Sequence, residues 1–210
     1  MSRETTGEEL TVGILAGGKS RRLGLDKGLI PWRGRSLLEW SAYRAAALGG
    51  ELYILAKERA PYEGFGYPVL TDFSSSLTPL SGILTVIPFV KDWLLLLACD
   101  ILILSDGLLP LLWDKRREGR AVVVHSPQGY QPFLGLYPRR ELQRWEDAYR
   151  RGSYKLQPVV EQMDKIVCPQ ESLEAELGGG PLFLNINRPE DLRKLRLQEL
   201  NRTSNGVKEP

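Results

Sequence analysis

Apolar residues along this chain gather into short continuous runs, at 10–15, 51–56, 67–71, 93–99, 120–125 and 132–137. Nearly every run is bounded by Gly, Pro or polar residues, the first being followed by Ala16 and then Gly17. Runs of this length predict strands, and their lack of polar alternation predicts burial on both faces, as in parallel strands between helix layers. Helical signals lie between them. Ser36-Leu37-Leu38-Glu39 has the form of a capping box, and Gly49-Gly50 closes the helix it opens. A short apolar helix is predicted from Pro79, bent or ended by Pro88. Further helices are expected at 108–117, 139–150 and 153–163 and from Pro189 onward, with strands near Ile166 and at 182–187. Alternating strand and helix predicts an α/β fold, a doubly wound, mostly parallel sheet flanked by helices.

The length of 210 residues and a hydrophobic share of 42% suit one domain spanning 1–210. Its core is expected at about 10–197, with polar tails at 1–9 and 201–210. Lys and Arg number 28 against 26 Asp and Glu, a net charge of +2, so no global field argues for nucleic acid or a membrane surface. The greasiest run, 93–104, is too short to span a bilayer and contains Asp100. The N-terminus is polar and acidic where an export signal would be basic and then apolar. Cys99 and Cys168 lie far apart with no metal-type spacing, which points to a reducing compartment, the cytoplasm. His125 is the sole histidine, leaving little material for a zinc cluster or a Ser-His-Asp triad.

The stretch from Val12 to Lys27 carries the chemistry. An apolar run ends in Gly17-Gly18, and Lys19, Ser20, Arg21, Arg22 and Lys27 follow closely. Glycines let backbone N–H groups close on an anion, and the basic residues add positive charge, so the stretch reads as a triphosphate site. Gly13 to Ser20 also satisfies the P-loop pattern G-x-x-x-x-G-K-[ST], with 94–100 as the accompanying apolar strand ending in Asp. A P-loop needs its first glycine at a strand end and a long helix opening at the lysine. Here only Leu10 to Val12 would precede Gly13 as strand, and Gly24, Gly28 and Pro31 interrupt any helix begun at Lys19.

Taken whole, the stretch resembles the signature L-A-G-G-x-S-x-R-x-G-x-D-K of the molybdenum cofactor guanylyltransferases and their nucleotidyltransferase relatives. Every fixed letter is present from Leu15 to Lys27. The resemblance implies a Rossmann-like nucleotidyltransferase fold, a nucleotide cradled by the backbone of Leu15, Ala16 and Gly17, and a contact from Lys27. Asp100 closes the apolar run 94–99, where a charge is costly unless paired or metal-bound, and Mg2+ suits such a carboxylate shared with phosphates. Turn capping explains the same aspartate. In the family the Asp after the corresponding Cys binds magnesium. Asp72 also ends a predicted strand, and Pro79-Leu80-Ser81-Gly82 resembles the family's G-P-L-A-G loop, which implies nucleotide contacts from Asp72 and Gly82. Gly17, Asp72 and Asp100 all fall at predicted strand carboxyl ends, where doubly wound sheets bind ligands.

On the acceptor side, Gln131-Pro132 resembles the family's [QH]-P loop, with an ordinary β-turn as its bland reading. Asn185 and Asn187 lie in a stretch that resembles F-x-N-x-N-T-P-E-[DE]-L; helix capping explains Asn187 equally well. The reaction implied is transfer of GMP from GTP to the phosphate of molybdopterin, with Asp100 holding Mg2+ while Arg22 and Lys27 offset charge on the departing pyrophosphate. GTP, molybdopterin and cofactor-assembly proteins or molybdoenzymes are the partners so implied. Two departures leave alternatives open. Ile101-Leu102-Ile103-Leu104 lacks the proline that usually follows the aspartate, and the strand ending at Ala56 lacks a base-proximal Asn. CTP, another phosphorylated acceptor, a P-loop NTPase and a non-catalytic nucleotide-binding partner are the other readings.

Overall fold

The computed structural model describes residues 7–16, 26–71, 78–117, 119–186, 190, 191 and 193. In chain order the strands are β1 (Leu10–Leu15), β2 (Pro31–Trp32), β3 (Arg35–Ser36), β4 (Glu51–Ala56), β5 (Val69–Thr71), β6 (Trp93–Ala98), β7 (Ile101–Ile103), β8 (Ala121–Ser126), β9 (Gly129–Pro138), β10 (Lys165–Pro169) and β11 (Phe183–Asn185). The helices are α1 (Leu37–Ala46), α2 (Pro79–Val86), α3 (Leu108–Asp114), α4 (Gln143–Arg150), α5 (Leu156–Glu161) and α6 (Gln170–Glu176). Among the described residues no helix is long and apolar enough to cross a membrane.

Seven strands form the central sheet in the order β10-β8-β9-β6-β1-β4-β5. All are parallel except β9, which runs antiparallel to both β6 and β8. The continuous apolar runs have the physical cause expected of them. In β6, Leu95 and Leu97 join the cluster on one face of the sheet, and Leu94 and Leu96 join the cluster on the other. Every residue of β6 is buried, and each such leucine contributes about 1.5–3 kcal/mol of transfer free energy.

Local signals set several elements as read from the sequence. Ser36 and Glu39 form the reciprocal capping box of α1: Glu39 N–H donates to Ser36 Oγ at 3.2 Å and Ser36 N–H to the Glu39 carboxylate at 2.6 Å. Gly49, at φ 74°, turns the chain out of that helix. Pro88 falls in a 3-10 turn, Ile87–Phe89, that ends α2.

The run 93–104 departs from expectation by splitting at Cys99-Asp100 into β6 and β7. β7 leaves the main sheet and pairs antiparallel with β11, Ile101 opposite Asn185. Ile101 and Ile103 pack into the main core while Leu102 packs with Ile30, Trp32, Leu37 and Ile186. The apolar residues standing where the family's proline was expected are therefore a two-sided strand. The hairpin β2–β3, turned through Arg33 (φ 44°) and Gly34 (φ 78°), and helix α6 were not read from the sequence. The helix expected at 139–150 divides into a 3-10 turn at Arg139–Glu141 and α4. Glu8 and Glu9, in the expected polar tail, pair with Arg116 and Lys91.

Candidate active site

The sheet register aligns the carboxyl ends of four strands. Leu15 of β1 stands opposite Leu55 of β4 and Ala98 of β6, and Ala56 stands opposite Thr71 of β5. The ladder extends one step further, with Ala16 N–H donating to the Leu55 carbonyl at 2.9 Å and Cys99 N–H to the Leu15 carbonyl at 3.0 Å. The chain after β1 and the chain after β6 therefore leave the sheet side by side, on the rim where doubly wound folds bind ligands.

Lys27 returns to that rim after the first loop. Its Nζ lies 2.8 Å from Asp100 Oδ2, with the side chains 17% and 30% exposed. This ion pair joins the last residue of the signature to the carboxylate that closes β6. Both groups keep part of their surface open, and an ammonium beside a carboxylate at a strand end is suited to meeting phosphates and a cation. Lys27, the last residue of the signature, and Asp100 share one rim, as the triphosphate reading requires.

Of the other expected site residues, the structure describes Gly82, Gln131, Pro132 and Asn185. Gly82 is buried in the first turn of α2, a helix that packs on β1, β4 and β5. Gln131 and Pro132 lie on β9 just beyond Leu134, the partner of Leu97, which sets them beside the end of β6. Gln131 Nε2 donates to Ser126 Oγ at 2.8 Å, whereas Pro132 is buried and its carbonyl accepts from the Tyr137 hydroxyl at 2.8 Å. Asn185 is half-buried on β11, and the next residue, Ile186, donates its N–H to the Asp100 carbonyl at 2.7 Å. Gly17, Gly18, Ser20, Arg22, Asp72 and Asn187 lie outside the described residues. His125 is an exposed strand-end residue set edge-on to Tyr130.

The P-loop reading fails at its first glycine. Gly13 sits inside β1, opposite Tyr53 on one side and Leu96 on the other. A Cβ there would stand 3.1 Å from Leu55 Cδ1 and 3.3 Å from Leu96 Cδ2. Close packing of α2 and two leucines explains the glycine, and no phosphate loop begins there.

Sequence reasoning missed Tyr62, in the 3-10 turn Ala60–Phe65 after β4. It is 1% exposed, and its hydroxyl donates to Asp26 Oδ2. Asp26 Oδ1 accepts the Gly28 N–H at 3.0 Å. Nothing in the local sequence marks this tyrosine, since its partner is 36 residues away. Cys99 is also buried beneath the site, and burial followed by the nearby Asp100 and Asp26 carboxylates pushes its thiol well above the usual range. It stays a neutral packing group rather than a nucleophile. Among the described residues no three His, Cys, Asp or Glu cluster as a metal cage.

Residues 12–166 match the family model of the MobA-like NTP transferase domain. A molybdenum cofactor guanylyltransferase of Pseudomonas syringae pv. syringae is 30% identical over 182 residues, covering 84% of this chain and 88% of the relative. A probable molybdenum cofactor guanylyltransferase of Nostoc is 31% identical over 190 residues, covering 87% and 88%. Among solved structures, molybdopterin-guanine dinucleotide biosynthesis protein A from Archaeoglobus fulgidus superposes with a TM-score of 0.74 at 20% identity, covering 91% of this chain and 99% of that one. The inositol-1-phosphate CTP transferase of T. maritima superposes at 0.69 and 15% identity, covering 97% and 99%, so the fold is that of nucleotidyltransferases. With the family model spanning most of the chain and the signature's Lys27 on Asp100 at the sheet rim, the protein belongs to the MobA-like NTP transferase family and is an enzyme of the nucleotidyltransferase class.

Proposed function

We propose that the chain transfers GMP from GTP to the phosphate of molybdopterin, forming a guanine dinucleotide and releasing pyrophosphate. The observation that carries the reading is the 2.8 Å contact between Lys27 and Asp100, which ties the glycine-rich signature to the end of β6. The names of the curated relatives supply the nucleotide and the acceptor. An oxygen of the acceptor phosphate attacks the α-phosphorus, the bond from that phosphorus to the bridging β-oxygen breaks, and the electron pair leaves on pyrophosphate. A phosphomonoester is already anionic at neutral pH, so no general base is required. The work left for the protein is alignment and charge neutralisation.

Lys27 and Arg22 offset the charge that builds on the departing pyrophosphate, and the backbone of Leu15 to Gly18, with Ser20, cradles the nucleotide. Asp72 and Gly82 are assigned to nucleotide binding, and Gln131, Pro132, Asn185 and Asn187 to the acceptor. Mg2+ fits the donor set present among the described residues. Asp100 supplies a single carboxylate rather than a protein cage, which matches a magnesium ion shared with substrate phosphates. When bound, the ion would neutralise phosphate charge beside Asp100. The buried, unpaired Cys99 and Cys168 suit a reducing cytoplasm.

CTP in place of GTP is the second reading, favoured by the end of β4, where Ala56 and Lys57 stand without an asparagine. A panel of nucleoside triphosphates with molybdopterin and Mg2+, read by pyrophosphate release, separates the cases. Release with GTP that depends on molybdopterin supports the proposal. Release with CTP moves the assignment to the second reading, and hydrolysis without acceptor, or no release with any nucleotide, refutes both.

A further inference from the structure

We propose that Tyr62 is a positioning residue for nucleotidyl transfer, its hydroxyl holding Asp26 so that the neighbouring Lys27 ammonium is set on Asp100. Three connections meet here: the loop after β1 contributes Asp26, Lys27 and Gly28, the turn after β4 contributes Tyr62, and the end of β6 contributes Cys99 and Asp100. Asp26 takes one hydrogen bond on each carboxylate oxygen, from the Tyr62 hydroxyl and from Gly28 N–H. Its side chain is thereby pinned across the entry to the 3-10 turn Lys27–Leu29. Lys27 is the first residue of that turn, so the direction of its side chain follows from how the turn is anchored.

The anchor is tightly packed. A Cβ built on Gly28 would lie 3.4 Å from Asp26 Oδ1, 3.5 Å from Cys99 Sγ and 3.6 Å from the Tyr62 ring. Tyr62 is 1% exposed, so it reaches no ligand in the crevice and acts only through Asp26. Burial, then the hydrogen bond to Asp26, pushes the Tyr62 hydroxyl well above the ordinary tyrosine range. It therefore remains a donor at any working pH. A buried hydroxyl aimed at a carboxylate is a costly arrangement unless it is made in full, and this one is spent at the base of the nucleotide loop. The alternative role, simple filling of the space behind β4, needs the ring and not the hydroxyl.

The inference rests on the transferase reading only for its kinetic arm, and a second arm is free of substrate. Tyr62→Phe keeps the ring and removes the donor. Loss of a hydrogen bond to a charged group predicts a fall in kcat of about tenfold, with pyrophosphate release assayed on whichever of GTP or CTP the wild-type chain uses. In parallel, the unliganded protein is treated with acetic anhydride, and acetylation of Lys27 is measured by peptide mass spectrometry against exposed Lys57 in the same chain. Release of the ammonium from Asp100 is expected to raise that ratio severalfold, because a side chain that is 17% exposed in the pair becomes open to the reagent.

An unchanged acetylation ratio overturns the proposal whatever turnover does, because the hydroxyl then does not act through Lys27. A raised ratio with wild-type kcat overturns it as well. Should Tyr62→Phe melt below the assay temperature, Asp26→Asn weakens the same hydrogen bond from the other side and is scored by the same two readouts. If the wild-type chain releases pyrophosphate from neither nucleotide, the proposed reaction fails and the acetylation ratio alone decides whether Tyr62 places Lys27.

Discussion

Replacing Asp100 by asparagine keeps the shape at the end of β6 and deletes one charge. Coulomb's law puts two unit charges 2.8 Å apart at about 1.5 kcal/mol in bulk water and about 6 kcal/mol at an effective dielectric of about 20. The side chains of Lys27 and Asp100 are 17% and 30% exposed, so water screens the pair and takes up the released ammonium. The asparagine oxygen still accepts a hydrogen bond. The net stability loss is expected near the top of the range for exposed pairs, about 1 kcal/mol, which lowers Tm by roughly 2–4 °C in a chain of this size. Activity should respond far more. A group that stabilises charge in the transition state is worth roughly a hundredfold in kcat, whereas about 1 kcal/mol of stability corresponds to a factor of only about five. Thermal melts and steady-state pyrophosphate release on the same preparation separate the two. A fall in kcat of less than about fivefold, with the expected loss of Tm, would make Asp100 a structural ion-pair partner and refute its place in the chemistry.

Gly13→Val tests the rejection of the P-loop: its Cβ would meet Leu55 and Leu96 at 3.1 and 3.3 Å, so overpacking should cost about 1–3 kcal/mol in denaturant melts, while KM for the nucleotide in the folded fraction stays unchanged. A rise in KM without loss of stability would restore a phosphate role for that glycine. Ser36→Ala should cost about 1 kcal/mol at neutral pH through loss of the α1 cap, with kcat unaffected. The hydrogen bonds from the Ser36 backbone and side chain hold the Glu39 carboxyl below its usual value; a depressed carboxyl stabilises above its unfolded-state pKa of 4.5 and loses that contribution as pH falls through the folded value. Ser36→Ala keeps the backbone donor and loses only the hydroxyl, so the difference in Tm between wild type and Ser36→Ala is expected to be flat above about pH 5 and to narrow only by the hydroxyl's share in more acid solution, and a gap that widens toward about pH 2–3 would contradict the sign of this linkage.

Strands β1 and β4 begin and end at the bounds read from the sequence, because all of their residues but the first of β4 are buried or half-buried and the apolar side chains between those bounds form one nearly unbroken block. The α1 cap was equally legible, being a contact between residues three apart. Misreadings cluster where the contact is remote. Residues 101–104 look like a continuation of β6 in any local window, and only pairing with β11, some eighty residues later, makes a separate strand of them. Helix α6 carries one buried residue, Leu173, and so little amphipathic signal. The site divides the same way. The signature and the apolar run ending in Asp100 were visible as two local patterns, while Tyr62 was invisible because what distinguishes it is a hydrogen bond to a residue on another connection.

By itself, then, the order of residues determined the element types, the burial of the sheet on both faces and the glycine-rich loop with its basic residues, since each depends on side-chain chemistry repeated over a few positions. Tertiary structure alone decided that Gly13 is a packing residue, that β9 runs against its neighbours, and that Lys27 meets Asp100 above a buried Tyr62–Asp26 contact. The physical reason is common to all three. Each depends on which strands lie side by side and in what register, and both are settled by packing across the whole core rather than by any single stretch of chain.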